Sequence, residues 1–258
     1  MINQSNLVST TGNIGTLNNE VDWLSAVIDQ VIKSYFMQEG YEGDWLDIPP
    51  PDLTELNDPY SQSVKKWELD VYARLALVLS MAPHLRPEAL DVFFGKNQVY
   101  DRGFSEFGGV VDKNHSGFLP TCQTFLFLVA GVHPELRTTA METLGNESIL
   151  IKEQVLVLGS TEPGMPGMNG ILGLSNDWFY YFITGKELRE ENTASFPAQK
   201  IATHLDWQDV VLDDHVYEQV MEIRAWMEHS NMLMNNWGPG QKNKTRVQGT
   251  VLWTAGNW

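Results

Sequence analysis

Between positions 61 and 82 the residues Val64, Trp67, Val71, Leu75, Leu79 and Ala82 recur at three- and four-residue intervals. That spacing lays one continuous apolar stripe along an α-helix, and the stripe must be buried against something. This is the strongest helix signal in the chain, and the rest is read around it. Pro83 is expected to end the helix, because proline lacks the N–H that continues it. Pro87 suits the first position of a second, short helix carrying Leu90, Val92, Phe93 and Phe94, which stops at Gly95. Upstream, Val21, Leu24, Ile28, Val31, Ile32 and Tyr35 predict an amphipathic helix over 20–38 with an acidic first turn. Residues 1–19 are polar and are expected to fray. The run Pro49-Pro50-Pro51 marks 39–60 as a linker or lid-like loop.

Downstream, 95–119 is expected to form a long loop, and such loops are often functional. Thr121 is placed to cap the apolar helix TFLFLVAG, which Gly131 terminates. Pro134 starts a further helix. SILIKEQVLVLG predicts one or two short strands, GSTEPGMPGMNG a turn-rich loop, and ILGL a return strand. Ser175 caps a last aromatic helix, NDWFYYFITG. The class expected is α+β, mostly helical, and helices followed by a small β-ribbon suggest a winged-helix-like domain over 61–185. Residues 1–60 are read as the N-terminal helix and Pro-rich linker, and 186–204 as a charged connector. In 205–258 a short apolar segment precedes a helix that Asp213 or Asp214 can cap.

Composition excludes several roles. A formal net charge of -16 repels phosphate backbones and acidic membranes, so general nucleic-acid or lipid binding is not expected. One cysteine, Cys122, allows neither an intrachain disulfide nor a cysteine-based zinc site. The first residues lack a basic start and an apolar core, so no signal peptide is expected. Apolar runs such as FLFLVAG are too short to span a bilayer. A cytoplasmic protein is the default expectation.

The segment KTRVQGTVLWTAGNW, 244–258, has a second reading. Back-translated with one permitted set of codons and shifted forward by one base, it becomes K-P-G-Y-R-A-L-F-Y-G-P-P-G-T-G. Tryptophan has a single codon, so Trp253 and Trp258 force glycine in the shifted frame. Those glycines fall at the G-x-x-x-x-G spacing of a phosphate-binding loop. A frameshift after about residue 243 is therefore expected. The segments LALVLSMAPHLRPEALDVFFGKN (75–97), FSEFGG (104–109), KNHSGFLPT (113–121), FLFLVAG (125–131), FPAQKI (196–201) and LDWQDVVLDDHVYEQVMEIRAWMEH (205–229) accompany it. On these the chain resembles the N-terminal part of an AAA-family ATPase, from a bacterial group with a long domain ahead of its ATPase module. FLPTCQT departs from the group's F-L-P-T-G-E-T at Cys122 and Gln123.

The resemblance implies that 205–258 opens an incomplete AAA module whose parent binds ATP and magnesium. It also implies that Val210, Val211 and Leu212 stand where such a segment flanks adenine. A plain apolar turn packing under the following helix is the simpler reading of those three residues. The parent would form a ring, and this chain a monomer or weak oligomer. The segment after about Gly185 is expected to be less ordered than 61–185.

As written, the chain has no lysine after a final loop glycine and no downstream acidic strand, so ATP hydrolysis is not expected, and no cofactor is assigned to it. Gly95-Lys96 lacks the remaining loop residues. Asp112, His115 and Ser116 share one loop, but a catalytic triad is a matter of geometry rather than adjacency. The six histidines show no metal-ligand spacing. The run Trp178–Phe182 is read as core plus rim, with an exposed docking face as the alternative. Cys122 is expected to be buried and inert. Three functional classes follow: a regulatory or partner-docking part of an AAA-family protein, a stand-alone interaction module, and a DNA-binding winged helix, which the acidity disfavours.

Overall fold

The computed structural model describes residues 4–40, 42–113, 115–131, 133–188, 212–222 and 224–225. The chain divides into two compact units, Met1–Arg189 and Glu190–Trp258. Among the described residues the first is α+β and mostly helical, with three short antiparallel two-stranded sheets. Its helices are α1 (Gln4–Phe36), α2 (Pro59–Lys66), α3 (Val71–Leu85), α4 (Cys122–Ala130), α5 (Arg137–Thr143), α6 (Ile149–Lys152) and α7 (Asn176–Thr184). The strands pair as β1 (Lys96–Asn97) with β2 (Arg102–Gly103), β3 (Val110–Asp112) with β4 (His115–Leu119), and β5 (Leu156–Leu158) with β6 (Leu172–Leu174).

The stripe expected to form one helix over 61–82 is split. Trp67 closes α2, Glu68 takes a left-handed φ of 49°, and Asp70 restarts the chain by accepting a hydrogen bond from Ala73 N at 2.8 Å. The Asp70 cap satisfies an amide that the helix start would otherwise leave unpaired. Pro83 does not end α3, which runs on to Leu85 with Arg86 N bonded to Ala82 O at 2.9 Å. Every residue from Arg74 to Ala82 is buried, so packing around α3 outweighs the lost backbone bond.

Residues 4–19, within the stretch expected to fray, belong to α1. Two long-range bonds explain this. Asn13 Nδ2 donates to Ile183 O at 3.0 Å, at the end of α7, and Thr16 Oγ1 donates to Asp58 Oδ2 at 3.0 Å, at the start of α2. The acidic first turn of the expected helix therefore lies mid-helix. Glu20 is fully buried there, between α2 and α3. Its Oε2 accepts from Tyr60 Oη at 3.0 Å and from Arg74 Nε at 3.0 Å, and its Oε1 accepts from Arg74 Nη2. Burial pushes the Glu20 carboxyl above its ordinary value, and the guanidinium opposes that push. The same Arg74 Nη2 donates to Pro51 O at 2.7 Å, and the guanidinium lies 5.8 Å from the Trp23 ring.

The proline-rich stretch is accordingly not a free lid. Trp45 and Leu53 are buried in the common core, and Trp23 Nε1 donates to Ile48 O at 3.0 Å. Residues 95–119 are not irregular either, since they form the β1–β2 and β3–β4 hairpins. Two-residue strands of mixed polarity leave no period for a sequence to show. Only the second half of SILIKEQVLVLG is a strand; the first half is α6.

β6 is bordered on both sides. Beyond β5, the segment 120–122 pairs with it through the Thr121–Ile171 bridge, Leu172 N to Pro120 O at 2.8 Å and Cys122 N to Gly170 O at 3.0 Å. In the second unit the described residues are helical from 214 to 222. Asp213 caps them, its Oδ1 accepting from His215 N at 3.1 Å. Val210, Val211 and the segment 244–258 lie outside the described residues, as does most of the chain after Gly185 whose order the sequence reading compared with 61–185. Among the described residues no helix is long and apolar enough to cross a membrane.

Candidate functional site

Four of the segments that carry the family resemblance meet around Thr121. Its side chain and that of Thr124 form a reciprocal cap at the start of α4: Thr124 N donates to Thr121 Oγ1 at 3.3 Å, and Thr121 N donates to Thr124 Oγ1 at 3.0 Å. Thr121 Oγ1 also accepts from Gly109 N at 3.1 Å. That approach requires glycine. A Cβ on Gly108 (φ 62°) would sit 2.5 Å from Thr121 Oγ1, and one on Gly109 (φ 85°) 2.1 Å from the Phe118 ring. Behind the turn the rings of Phe107 and Phe127 lie 4.8 Å apart, and Phe93 stacks on Phe118 at 5.1 Å.

Cys122 and Gln123, where the sequence departs from the group it resembles, have defined surroundings. Burial covers the Cys122 thiol and raises its pKa, so the thiolate is suppressed. Gln123 Nε2 donates to Glu106 O at 3.2 Å and holds α4 to the 104–109 segment.

The outer side of this cluster is open. A cavity of about 580 Å³ is lined by Ile32 and Phe36 of α1, Val92, Lys96 of β1, and Phe104 and Phe107. Phe36 meets Phe104 edge-on at 5.2 Å, and Tyr35 packs edge-on against Phe107 at 6.0 Å and Phe127 at 5.3 Å. Within the lining, Phe36 and Val92 are 39% and 43% exposed, unusual for residues of their kind so close to a core. Met37, Phe94, Val99 and Tyr100, next to lining residues or at the hairpin tip, are exposed as well.

Charge around the groove is mixed but leans acidic. Glu39, Asp91, Asp101 and Glu106 are exposed. Lys96 lies 4.0 Å from Asp101, and Arg102 sits 5.6 Å from the Tyr100 ring. The Tyr35 phenol is held above its usual range by burial and by the Glu106 carboxylate beside it. A second cavity of about 550 Å³, beside β5, β6 and the start of α7, is lined by Val157, Ile171, Gly173 and Asn176 among others, with no aromatic ring or cation.

Among the described residues, Asp112, His115 and Ser116 do not converge on one point. Asp112 and His115 face each other across β3 and β4, but Ser116 is the exposed next residue of β4 and points to the opposite face. His115 Nε2 is buried without a hydrogen-bond partner. His84 packs tilted against Phe179 at 4.9 Å, and His133 contacts Asp44 at 2.8 Å and Glu135 at 3.2 Å. His204 and His229 lie outside the described residues. Among the described residues no group of three or more potential metal ligands occurs. Gly95 and Lys96 lead into the β1–β2 hairpin rather than a helix N-terminus.

The aromatic run on α7 is core with a rim. Trp178 packs on Trp67 at 5.0 Å and donates to Glu153 O at 3.0 Å, Phe182 is buried, and Tyr180 is exposed. Of the three adenine-flanking candidates only Leu212 is described, half-buried just before the Asp213 cap. The sequence flagged 95–119, which holds Val99 and Tyr100, as a functional stretch but not Phe36 or Met37, which lie at the end of α1 and come beside it only in the fold. The chain matches no protein-family model, no curated protein and no solved structure.

Proposed function

We propose that this chain is the N-terminal, partner-docking part of an AAA-family ATP-binding protein of the cytoplasm and does not itself hydrolyse ATP. The docking role is carried by one observation: an exposed aromatic groove lies where the segments resembling that family meet. The family reading is supported by those segments and by the glycines that Trp253 and Trp258 force in the shifted frame. A winged-helix-like arrangement is supported by the order α3, segment 120–122, α4, α5 with α6, β5 and β6, with β6 pairing on both sides. In the intact parent, ATP and magnesium would be held downstream, and Val210, Val211 and Leu212 would flank the adenine.

Sequencing the gene through the codons for 244–258 tests the family reading. A continuing frame that supplies the loop lysine and an acidic strand supports it, and a frame that yields neither removes the basis for an ATPase parent. The purified chain should show no magnesium-dependent ATP hydrolysis, and measurable turnover would refute the assignment. In light scattering it should run as a monomer or weak oligomer, and a stable hexamer would contradict that. The acidity disfavours the DNA-binding alternative, which a salt-dependent affinity for duplex DNA would restore.

A further inference from the structure

We infer that the occupant of the groove is a short protein segment carrying an apolar anchor flanked by lysine or arginine, an inference that rests on the docking role proposed above. The anchor follows from the walls. Phe36, Phe104 and Phe107 present ring faces and edges around a space of about 580 Å³, and Ile32 and Val92 complete an aliphatic side. This apolar side accepts a leucine, methionine or phenylalanine side chain, while Gln38, Asn97 and Gln98 line the rest of the space and can pair with the polar backbone of a bound segment.

The flanking charge follows from the rim. Glu39 follows the lining residue Gln38, Asp91 precedes Val92, and Glu106 lies between Phe104 and Phe107. All three carboxylates are exposed. Two cations stand against them, Lys96 in the lining, 4.0 Å from the Asp101 carboxylate, and Arg102 over the Tyr100 ring, so the four carboxylates Glu39, Asp91, Asp101 and Glu106 outnumber the cations around the groove. The field of the whole chain has the same sign as this rim, with a net charge of -16. Complementary charge steers encounter and rejects partners of like sign. A second copy of this chain would bring a further -16 to the contact, and a nucleic acid its phosphates, so both are opposed by the same field. The exposed apolar residues also extend past the cavity to Met37, Val99 and Tyr100, which suits a chain segment more than a small molecule confined to the pocket.

The test uses the full chain and fluorescence anisotropy with three labelled peptides: one of lysines and leucines, one of glutamates and leucines, and one of lysines and serines. The lysine–leucine peptide is expected to bind, to weaken as salt rises, and to exceed both others. Phe36→Ser and Val92→Asp alter exposed positions and should each weaken it about tenfold, with circular dichroism confirming the fold. The rim reversal Glu39→Lys with Asp91→Lys should lower its association rate about tenfold and favour the glutamate–leucine peptide.

If the acidic peptide binds the unaltered chain as well, or the rim reversal changes nothing while Phe36→Ser still weakens binding, the groove docks a partner but the inferred charge is wrong. If neither Phe36→Ser nor Val92→Asp affects any bound peptide, or none of the three binds, the docking role itself fails. Dimerisation in sedimentation velocity that Val92→Asp abolishes would make a second copy the occupant and overturn the inference.

Discussion

Arg74→Met is the substitution that probes the core most directly. It removes the guanidinium from a Glu20 carboxylate with no exposed side-chain surface, and from Pro51 O, while keeping most of the apolar stem against Trp23. Removing one partner of a buried ion pair costs about 3–5 kcal/mol, because the remaining charge is uncompensated. Total stabilities run to about 5–15 kcal/mol, so the loss is a large fraction of what holds the first unit together. With a urea m-value of about 2 kcal/mol/M, the denaturation midpoint should fall by about 2 M.

A pH series separates this from simple loss of packing. Burial already raises the Glu20 carboxyl, and removing the guanidinium raises it further. A carboxyl raised in the folded state contributes stability that is present below its unfolded value, near 4.5, and lost as pH rises through the folded value. The deficit of the variant should therefore be smallest in acid and grow towards neutrality. Replacing Glu20→Leu, Tyr60→Phe and Arg74→Met together should recover most of the loss, since an apolar set leaves no orphan charge. A midpoint within about 0.5 M of the unaltered chain, or a deficit independent of pH, would refute the reasoning.

Gly109→Ala should destabilise the chain by about 1–3 kcal/mol, read from the same urea midpoints, because φ is 85° and the new Cβ meets the Phe118 ring. Cys122 should react with a thiol reagent only on the timescale of unfolding, and rapid labelling in native buffer would contradict its burial. The His84 imidazole is held below its ordinary value by partial burial and by His115. Its contribution to stability is therefore present above about 6.5 and is lost as pH falls from there towards the folded value. Proton NMR titration should find His84 protonating below that point, and a midpoint above it would reverse the sign. Thr121→Val should free the Gly109 amide and unmake the α4 cap, lowering stability by about 1–3 kcal/mol, most visibly in faster amide exchange at Gly109 and Thr124.

Much of the scaffold was legible in the residues alone, because the forces that set it are local. The three- and four-residue spacing of Val21, Leu24, Ile28 and Val31 requires an amphipathic helix wherever the rest of the chain lies, and α1 buries those residues. Thr121 ahead of an apolar run, Gly131 after it and the strand at Leu172–Leu174 read correctly for the same reason. Only the tertiary structure decided how far helices run and what they bury. Asp70 caps the α2–α3 break locally, but the persistence of α3 through Pro83 and the extension of α1 into its polar N-terminal residues depend on partners distant in sequence. Those partners are Ile183 for Asn13, Asp58 for Thr16 and Glu20 for Arg74. The groove belongs to the same class. Phe36 ends one helix and Phe104 follows a hairpin too short to show a period, and they line one site only because chain closure brings the two together. Propensity and capping act over a few residues and are written in the sequence, whereas burial and charge pairing between remote segments exist only once the chain has folded.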